Sequence, residues 1–401
     1  MMRISKHFFG TLIKNILLGL VIYGFAISGS SNLSLHYIGS VLLIFYWLFF
    51  SKSFKLNNLL IIYSCFTIYA FFSGILVSIN KETFFIHAFL LIQLCFISIL
   101  VFNIFKAEKN LINFSVIWVL IGVVLTIGPF IGIGEDLSLR FFGLRYMGLT
   151  ENPNVLGMYI NYSLISILYL LLKLKKQKII MFFLVSILIL LVLAIFSTGS
   201  RKAIISFVLI LLTYIIYQYK FKLKNIIYAT LVILTLWLSF DNLTELTQDS
   251  SLINRLSSDE LETGIDGRTN LIKSGFNVFL DYPLTGAGLA NWSYNSNLLD
   301  FKYSHNYYIE VLANTGIIGF ILIIAIYRKL TIYVLNLLKN YSTRSEGIYG
   351  LMYLIFTFVW SFGFSWYDAP HHFISISVFL AFYYSTLKNI NSQANKILND
   401  K

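Results

Sequence analysis

The chain is 401 residues long and 58% apolar, with a net charge of +12 from 30 basic and 18 acidic residues. Only 12% of its residues are charged, against roughly 25% in a soluble globular domain, so an ordinary water-soluble fold is excluded and a polytopic helical membrane protein is expected. Apolar runs of about 20 residues, the length that crosses a hydrocarbon core, recur almost end to end.

Those runs predict about twelve transmembrane helices, near 8–27, 35–50, 58–79, 84–105, 112–133, 153–172, 178–197, 203–219, 225–240, 305–327, 347–367 and 370–387. An even number puts both termini on one side, and Lys and Arg identify the side because cytoplasmic loops retain them. Most of the 30 basic residues fall on the amino-terminal side, including Arg3, Lys6, the cluster KLKKQK (173–178), Arg328 and Lys329, while most of the 18 acids fall on the other. Both termini are therefore expected in the cytoplasm. The pI near 9.4 reads as topogenic and not as nucleic-acid binding. The expected organisation is helices 1–9 in 1–240, a long extracytoplasmic loop containing short helices in 241–304, and helices 10–12 with a cytoplasmic tail in 305–401.

Arg3 and Lys6 precede the first span, so a cleaved signal peptide is a rival reading there. Removing that span would leave an odd number without improving the charge sorting, and an uncleaved helix is expected. Lys14 lies inside it, near enough the end to snorkel. Cys65 and Cys95 fall in the third and fourth spans and read as inert, buried packing residues. The first long connection, GEDLSLRFFGLRYMGLTENPN (134–154), carries Arg140 and Arg145 as candidate substrate contacts. It ends in Glu151, Asn152 and Asn154, which can cap the sixth span or hydrogen-bond a sugar.

In FSTGSRKAIISF (196–207) a connection of a few residues joins two outward span ends, and Arg201 and Lys202 there run against the charge rule. Arg201 reads either as a snorkelling side chain at the headgroup level or as an anion ligand at the outer interface. The loop 241–304 is long and rich in apolar residues, so it is expected to pack and not to be disordered. Within it, DGRTNLIKSGFNVFLDYP (266–283) predicts a short amphipathic helix capped by Asp266 and stopped at Pro283. Arg268 then sits in its first turn, where a cation opposes the helix dipole unless a phosphate lies between the amides and the guanidinium. Pairing with Asp266 is the plainer alternative. LTGAGLANW (284–292) reads as a glycine turn leading back towards the membrane.

His305 opens the tenth span on the same outer side. It is an interfacial polar residue or a general base, since an imidazole with an ordinary pKa of about 6.5 suits that role. Asn306 beside it is a further candidate substrate contact. Gly316 and Gly319 read as close helix packing. WYDAPHHFI (366–374) offers Asp368, His371 and His372, for which a turn is the plain reading and metal binding a weak one. No Walker loop, dinucleotide fingerprint or zinc spacing is present, and the acidic pair of metal-dependent sugar transferases is missing apart from Glu260 and Glu262. Phosphates here are expected to meet arginine, with no metal and no cofactor.

The stretches STGSR (197–201), GRTNLIKSGFNVFLDYPLTGAGLANW (267–292) and HNYYIEVLANTGIIGF (305–320) resemble the O-antigen ligase and O-antigen polymerase superfamily of bacterial glycosyltransferases. TENPNVLG (150–157) is also similar to a segment seen there. The resemblance implies a GT-C-like fold and a metal-independent transferase in the bacterial cytoplasmic membrane, with its active site on the extracytoplasmic side. Its substrates would be undecaprenyl-pyrophosphate-linked oligosaccharides serving as donor and acceptor. Arg201 and Arg268 would bind the pyrophosphate and His305 would deprotonate the acceptor hydroxyl. Partners implied are the lipid bilayer, a chain-length regulator and a flippase. The Lys-, Asn- and Ile-rich composition hints at a low-GC genome, which favours a polymerase making capsular, exo- or O-antigen polysaccharide over a ligase acting on lipid A core or protein. A lipid-linked oligosaccharide flippase is the reading from another class, disfavoured because the spans are nearly charge-free.

Overall fold

A computed structural model describes residues 6–27, 35–50, 54–107, 111–133, 141–142, 145–219, 258–296, 304–367 and 369–399. Helices dominate it. In chain order they are α1 (Lys6–Ile27), α2 (Leu35–Phe50), α3 (Asn58–Val77), α4 (Lys81–Phe105), α5 (Ile112–Ile127), α6 (Pro153–Lys173), α7 (Lys178–Ser197) and α8 (Arg201–Tyr219). After these come α9 (Ser258–Asp281), the single turn α10 (Trp292–Asn295), α11 (Tyr307–Lys339), α12 (Arg344–Ser361) and α13 (Pro370–Asn399). A two-residue antiparallel pair sets Phe141 opposite Tyr146 and Phe142 opposite Arg145.

Among the described residues, eight helices are long and apolar enough to cross a membrane, and Leu35–Phe50 is a shorter apolar one. The chain is an all-α, multi-pass membrane protein. The predicted span 225–240 lies outside the described residues. The expected span 347–367 is the helix Arg344–Ser361, and 370–387 continues as a helix to Asn399. The start of α13 carries the polar residues His371, His372, Ser375 and Ser377. All four are buried, and the two serines each donate back to a carbonyl one turn earlier, at 2.7 and 2.8 Å.

The helices divide into two compact units. One comprises residues 1–39, 112–261 and 334–359, and its core is α6, whose span is 89% buried. Asn152 caps α6 by accepting from the Val155 amide at 3.0 Å, and Pro153 takes the first helical position, where its missing N–H costs nothing. Trp118 of α5 stacks on Tyr162 of α6 with centroids 4.3 Å apart, and Ser163 donates to the Trp118 carbonyl at 2.7 Å. Asn161 reaches the Ala203 carbonyl of α8 at 3.1 Å. Lys14, expected to snorkel, is instead buried in this unit, 8% exposed.

The other unit comprises residues 40–111, 262–333 and 360–401. Here α13 packs on α4, α3 packs on α4, and Tyr63 stacks face to face on Phe373 at 3.9 Å. Cys95 is buried as expected, whereas Cys65 on α3 is exposed. Its side chain lies on the apolar outer face of the helix, next to exposed Ile61 and Ile68, a surface that lipid would cover in a membrane.

Two features of this unit correct the sequence expectations. First, α9 begins at Ser258, so Asp266 is not its cap and Arg268 lies well inside the helix instead of in its first turn. Arg268 therefore does not stand at a helix amino end where exposed amides could share a phosphate with it. Second, Gly316 is not a packing residue within a continuous helix. At φ 63°, ψ −169° it interrupts α11, in a backbone region open essentially to glycine alone.

Candidate functional site

In the first unit the candidate residues gather around the turn 197–200. α7 ends at Ser197, the chain turns through Thr198, Gly199 and Ser200, and α8 starts at Arg201. Thr198 Oγ1 accepts the Ser200 amide at 3.2 Å, holding the turn. Arg145, from the short antiparallel pair, donates from Nε to the Thr198 carbonyl at 2.8 Å and from Nη2 to Asn154 Oδ1 at 3.1 Å. One guanidinium therefore ties the connection before α6 to the first turn of α6 and to the turn carrying Arg201. The approach is close because position 157 is glycine: an added Cβ would press on Ala203. Arg201 and Lys202 are half-buried, Glu151 is exposed, and Arg140 lies outside the described residues.

In the second unit the site is built on the interruption of α11. Breaking a helix within an apolar environment leaves carbonyls that must find donors. They find them in the turn 283–288: Ala287 N–H donates to Ala313 O at 2.8 Å and Gly288 N–H to Asn314 O at 3.0 Å, while Ile317 N–H returns to Pro283 O at 2.9 Å. Tyr69 of α3 donates to Thr315 O at 3.1 Å and to Leu284 O at 2.6 Å. Gly286 (φ 67°) and Gly316 face each other so closely that a Cβ on either would collide with the other segment's backbone. The stretch LTGAGLANW, expected to be a turn heading for the membrane, is thus seated against the broken helix.

That arrangement anchors α9. Leu271 and Val278 join Ala287, Trp292 and Ala313 in one buried cluster, and Gly275 lies where a Cβ would press on Ile309, with Ser304 at van der Waals distance. Arg268 precedes Gly275 by seven residues, two helical turns or about 10 Å along the axis, so it shares the helix face that meets Ser304 and Ile309. Arg268 is exposed and His305, next to Ser304, is partly exposed. Arg268 and His305 thus belong to the same unit, His305 beside the contact of α9 with the start of α11 and Arg268 two helical turns from it, whereas Arg201 belongs to the other unit.

His305 has an unusual backbone: at φ 57° it is in the left-handed region, rare for a residue with a Cβ. Asn306, a candidate substrate contact, caps α11, its Oδ1 accepting from the amides of Tyr308 at 3.0 Å and Ile309 at 3.2 Å. Glu310, counted by the charge sorting among the outward acids, is buried. Its Oε2 accepts the Ser304 amide at 2.6 Å and its Oε1 accepts Asn314 Nδ2 at 2.7 Å. Neither Glu310 nor Asn314 stood out in the sequence. The signal was present in ANTGIIGF (313–320), where Asn, Thr and Gly fall together in an otherwise apolar run. Asp368 lies outside the described residues. His371 and His372 are buried in the first turn of α13, and the His372 Nε2 lies 2.9 Å from the Tyr327 hydroxyl.

Residues 186–324 match a family model described as O-antigen ligase. This third of the chain supports the O-antigen ligase and polymerase superfamily. The matched segment contains the turn before Arg201, all of α9, the turn seated on α11, and His305. Arg145 and Asn154 fall outside it. No curated protein matches the chain.

Proposed function

We propose that the protein is a polysaccharide polymerase that joins undecaprenyl-pyrophosphate-linked oligosaccharide repeat units at the extracytoplasmic face of the bacterial cytoplasmic membrane. The observation that supports glycosyl transfer of the ligase and polymerase kind is the O-antigen ligase match over 186–324, a segment that contains Arg201, Arg268 and His305. The reaction is a glycosyl transfer in which the acceptor hydroxyl attacks the anomeric carbon of the donor. The bond from that carbon to the pyrophosphate oxygen breaks, and undecaprenyl pyrophosphate leaves with the electron pair.

His305 takes the hydroxyl proton as the new bond forms, a contribution of about 10²- to 10⁴-fold for a well-placed base. Arg201 and Arg268 bind the pyrophosphate and stabilise the charge that grows on the leaving oxygen, as preplaced donors do in a water-poor site. A guanidinium suits this role because its planar fork matches two phosphate oxygens at once. Arg145 and Asn154 keep the Arg201 turn in place. Transfer to a second lipid-linked repeat, and not to lipid A or protein, is favoured by the low-GC composition.

The test is the lipid-linked intermediate that accumulates in cells of the source strain lacking this chain. Loss of a polymerase leaves single repeat units on the carrier. Accumulation of full-length lipid-linked polymer would make the protein a ligase, and normal polysaccharide would remove it from the pathway.

A further inference from the structure

The left-handed backbone at His305 needs an explanation, because a non-glycine residue there costs on the order of 1–3 kcal/mol and persists only when its surroundings over-determine it. Both neighbours are held. On one side the Ser304 N–H ends on the Glu310 carboxylate at 2.6 Å and Ser304 Oγ donates to Asn306 O at 3.0 Å. On the other, Asn306 is fixed as the cap of α11.

Glu310 is in turn held by Asn314. The Asn314 amide is used at both ends: Oδ1 accepts the Trp292 N–H at 3.1 Å, and Nδ2 donates to Glu310 Oε1 at 2.7 Å and to the Tyr367 hydroxyl at 3.2 Å. Ser304, Trp292 and Asn314 are fully buried, and Glu310 is 3% exposed. Water therefore does not stand in for a missing partner, and a mismatch of donors and acceptors carries the full desolvation cost.

We propose that Glu310 and Asn314 form a positioning pair for His305, transmitting the seat of the broken helix to the Ser304–His305 backbone and so fixing where the imidazole points. This rests on the reading of His305 as the acceptor-activating base. The pair touches no substrate. It makes the glycine turn, the interruption at Gly316 and the base one mechanical unit.

The hydrogen-bond directions make the proposal testable by exchange. A carboxylate at 310 accepts from both Ser304 N–H and Asn314 Nδ2. Glutamine at 310 has the same shape but one acceptor, so in Glu310→Gln one buried donor faces another donor whichever way either amide is turned. Adding Asn314→Asp removes the conflict: the glutamine oxygen accepts from Ser304, its amide donates to the aspartate, and the aspartate still accepts from Trp292 N–H. The Tyr367 hydroxyl rotates to donate. The exchanged pair E310Q/N314D restores these four hydrogen bonds, with donor and acceptor reversed between 310 and 314 and between 314 and Tyr367.

The experiment measures kcat, KM and melting temperature for full-length protein in proteoliposomes, using lipid-linked repeat units extracted from the source strain. Glu310→Gln should lower kcat about 10²-fold with KM unchanged, the cost of a misplaced catalytic group. The E310Q/N314D pair should return to within roughly threefold of wild type, the non-additivity expected of coupled neighbours. Glu310→Gln at wild-type kcat, or an exchanged pair that melts normally yet stays as slow as the single variant, overturns the proposal.

If the exchanged pair does not fold, Glu310→Asp decides. It keeps the charge but is one methylene too short to reach both partners, so wild-type kcat in that variant overturns the proposal. His305→Ala separates the two levels. Full activity in His305→Ala sinks the reading of His305 as base, whereas an inactive His305→Ala beside an unimpaired Glu310→Gln sinks the positioning pair alone.

Discussion

Gly316→Ala is the sharpest test of the broken helix. A Cβ at this position would collide with Leu284 O, and the neighbouring backbone is that of a packed turn which has no flexible side chain to move aside. Alanine at φ 63°, ψ −169° costs on the order of 1–3 kcal/mol in backbone strain alone. Relieving it means straightening α11 and giving up the contacts from Ala287, Gly288, Ile317 and Tyr69, each with a net value of about 0.5–1.5 kcal/mol. The four contacts together set the expected loss at about 2–6 kcal/mol, a large fraction of the 5–15 kcal/mol that typically holds a domain together.

Gly19→Ala, in α1, is the internal comparison, because its added Cβ meets the Ile117 side chain at ordinary van der Waals distance. Thermal unfolding of the purified protein in detergent, followed by tryptophan fluorescence, reads both variants. Gly316→Ala should melt far below Gly19→Ala. Equal melting temperatures, with Gly316→Ala near wild type, would mean that Gly316 serves only helix packing and that the interruption is not part of the fold.

Arg145→Ala removes two charge-assisted hydrogen bonds and should destabilise the protein by about 2–4 kcal/mol; Arg145→Lys should not restore it, since one ammonium cannot reach both Thr198 O and Asn154 Oδ1 along the same fork. Unchanged melting in Arg145→Ala would show that this cross-link does not hold the turn. Arg268→Ala, by contrast, should leave melting unchanged because the side chain is exposed, while transfer activity on extracted lipid-linked repeats falls about 10²- to 10³-fold. Near-normal turnover would remove Arg268 from the site.

Much of the helical architecture was legible because hydrocarbon length and backbone satisfaction leave few choices. The spans expected at 153–172 and 178–197 are observed as Pro153–Lys173 and Lys178–Ser197. The cap Asn152 was also readable as one of two alternatives, since Asn before Pro at a helix start suits an N-cap. What escaped the sequence depended on tertiary partners. Gly264 and Asp266 look like a stop and a cap, yet α9 runs through both from Ser258, and the glycine costs about 1 kcal/mol that local pattern cannot weigh against packing.

Gly316 and Gly319 look identical in the sequence and differ only because the 283–288 turn is seated on one of them. Glu310 reads as one more outward acid until Ser304 and Asn314 are seen to close on it. His305, Arg201 and Arg268 could be named from motif and charge, but the strained backbone of the histidine could not, because φ there is set by a carboxylate five residues away.

The central claim, that this chain polymerises lipid-linked repeats, is tested most directly with purified protein in proteoliposomes supplied with a single undecaprenyl-pyrophosphate-linked repeat unit and nothing else. The account predicts a ladder of products differing by one repeat, with one undecaprenyl pyrophosphate released per repeat added, and no ladder from His305→Ala. Product that forms only when lipid A core or a protein acceptor is added would contradict it.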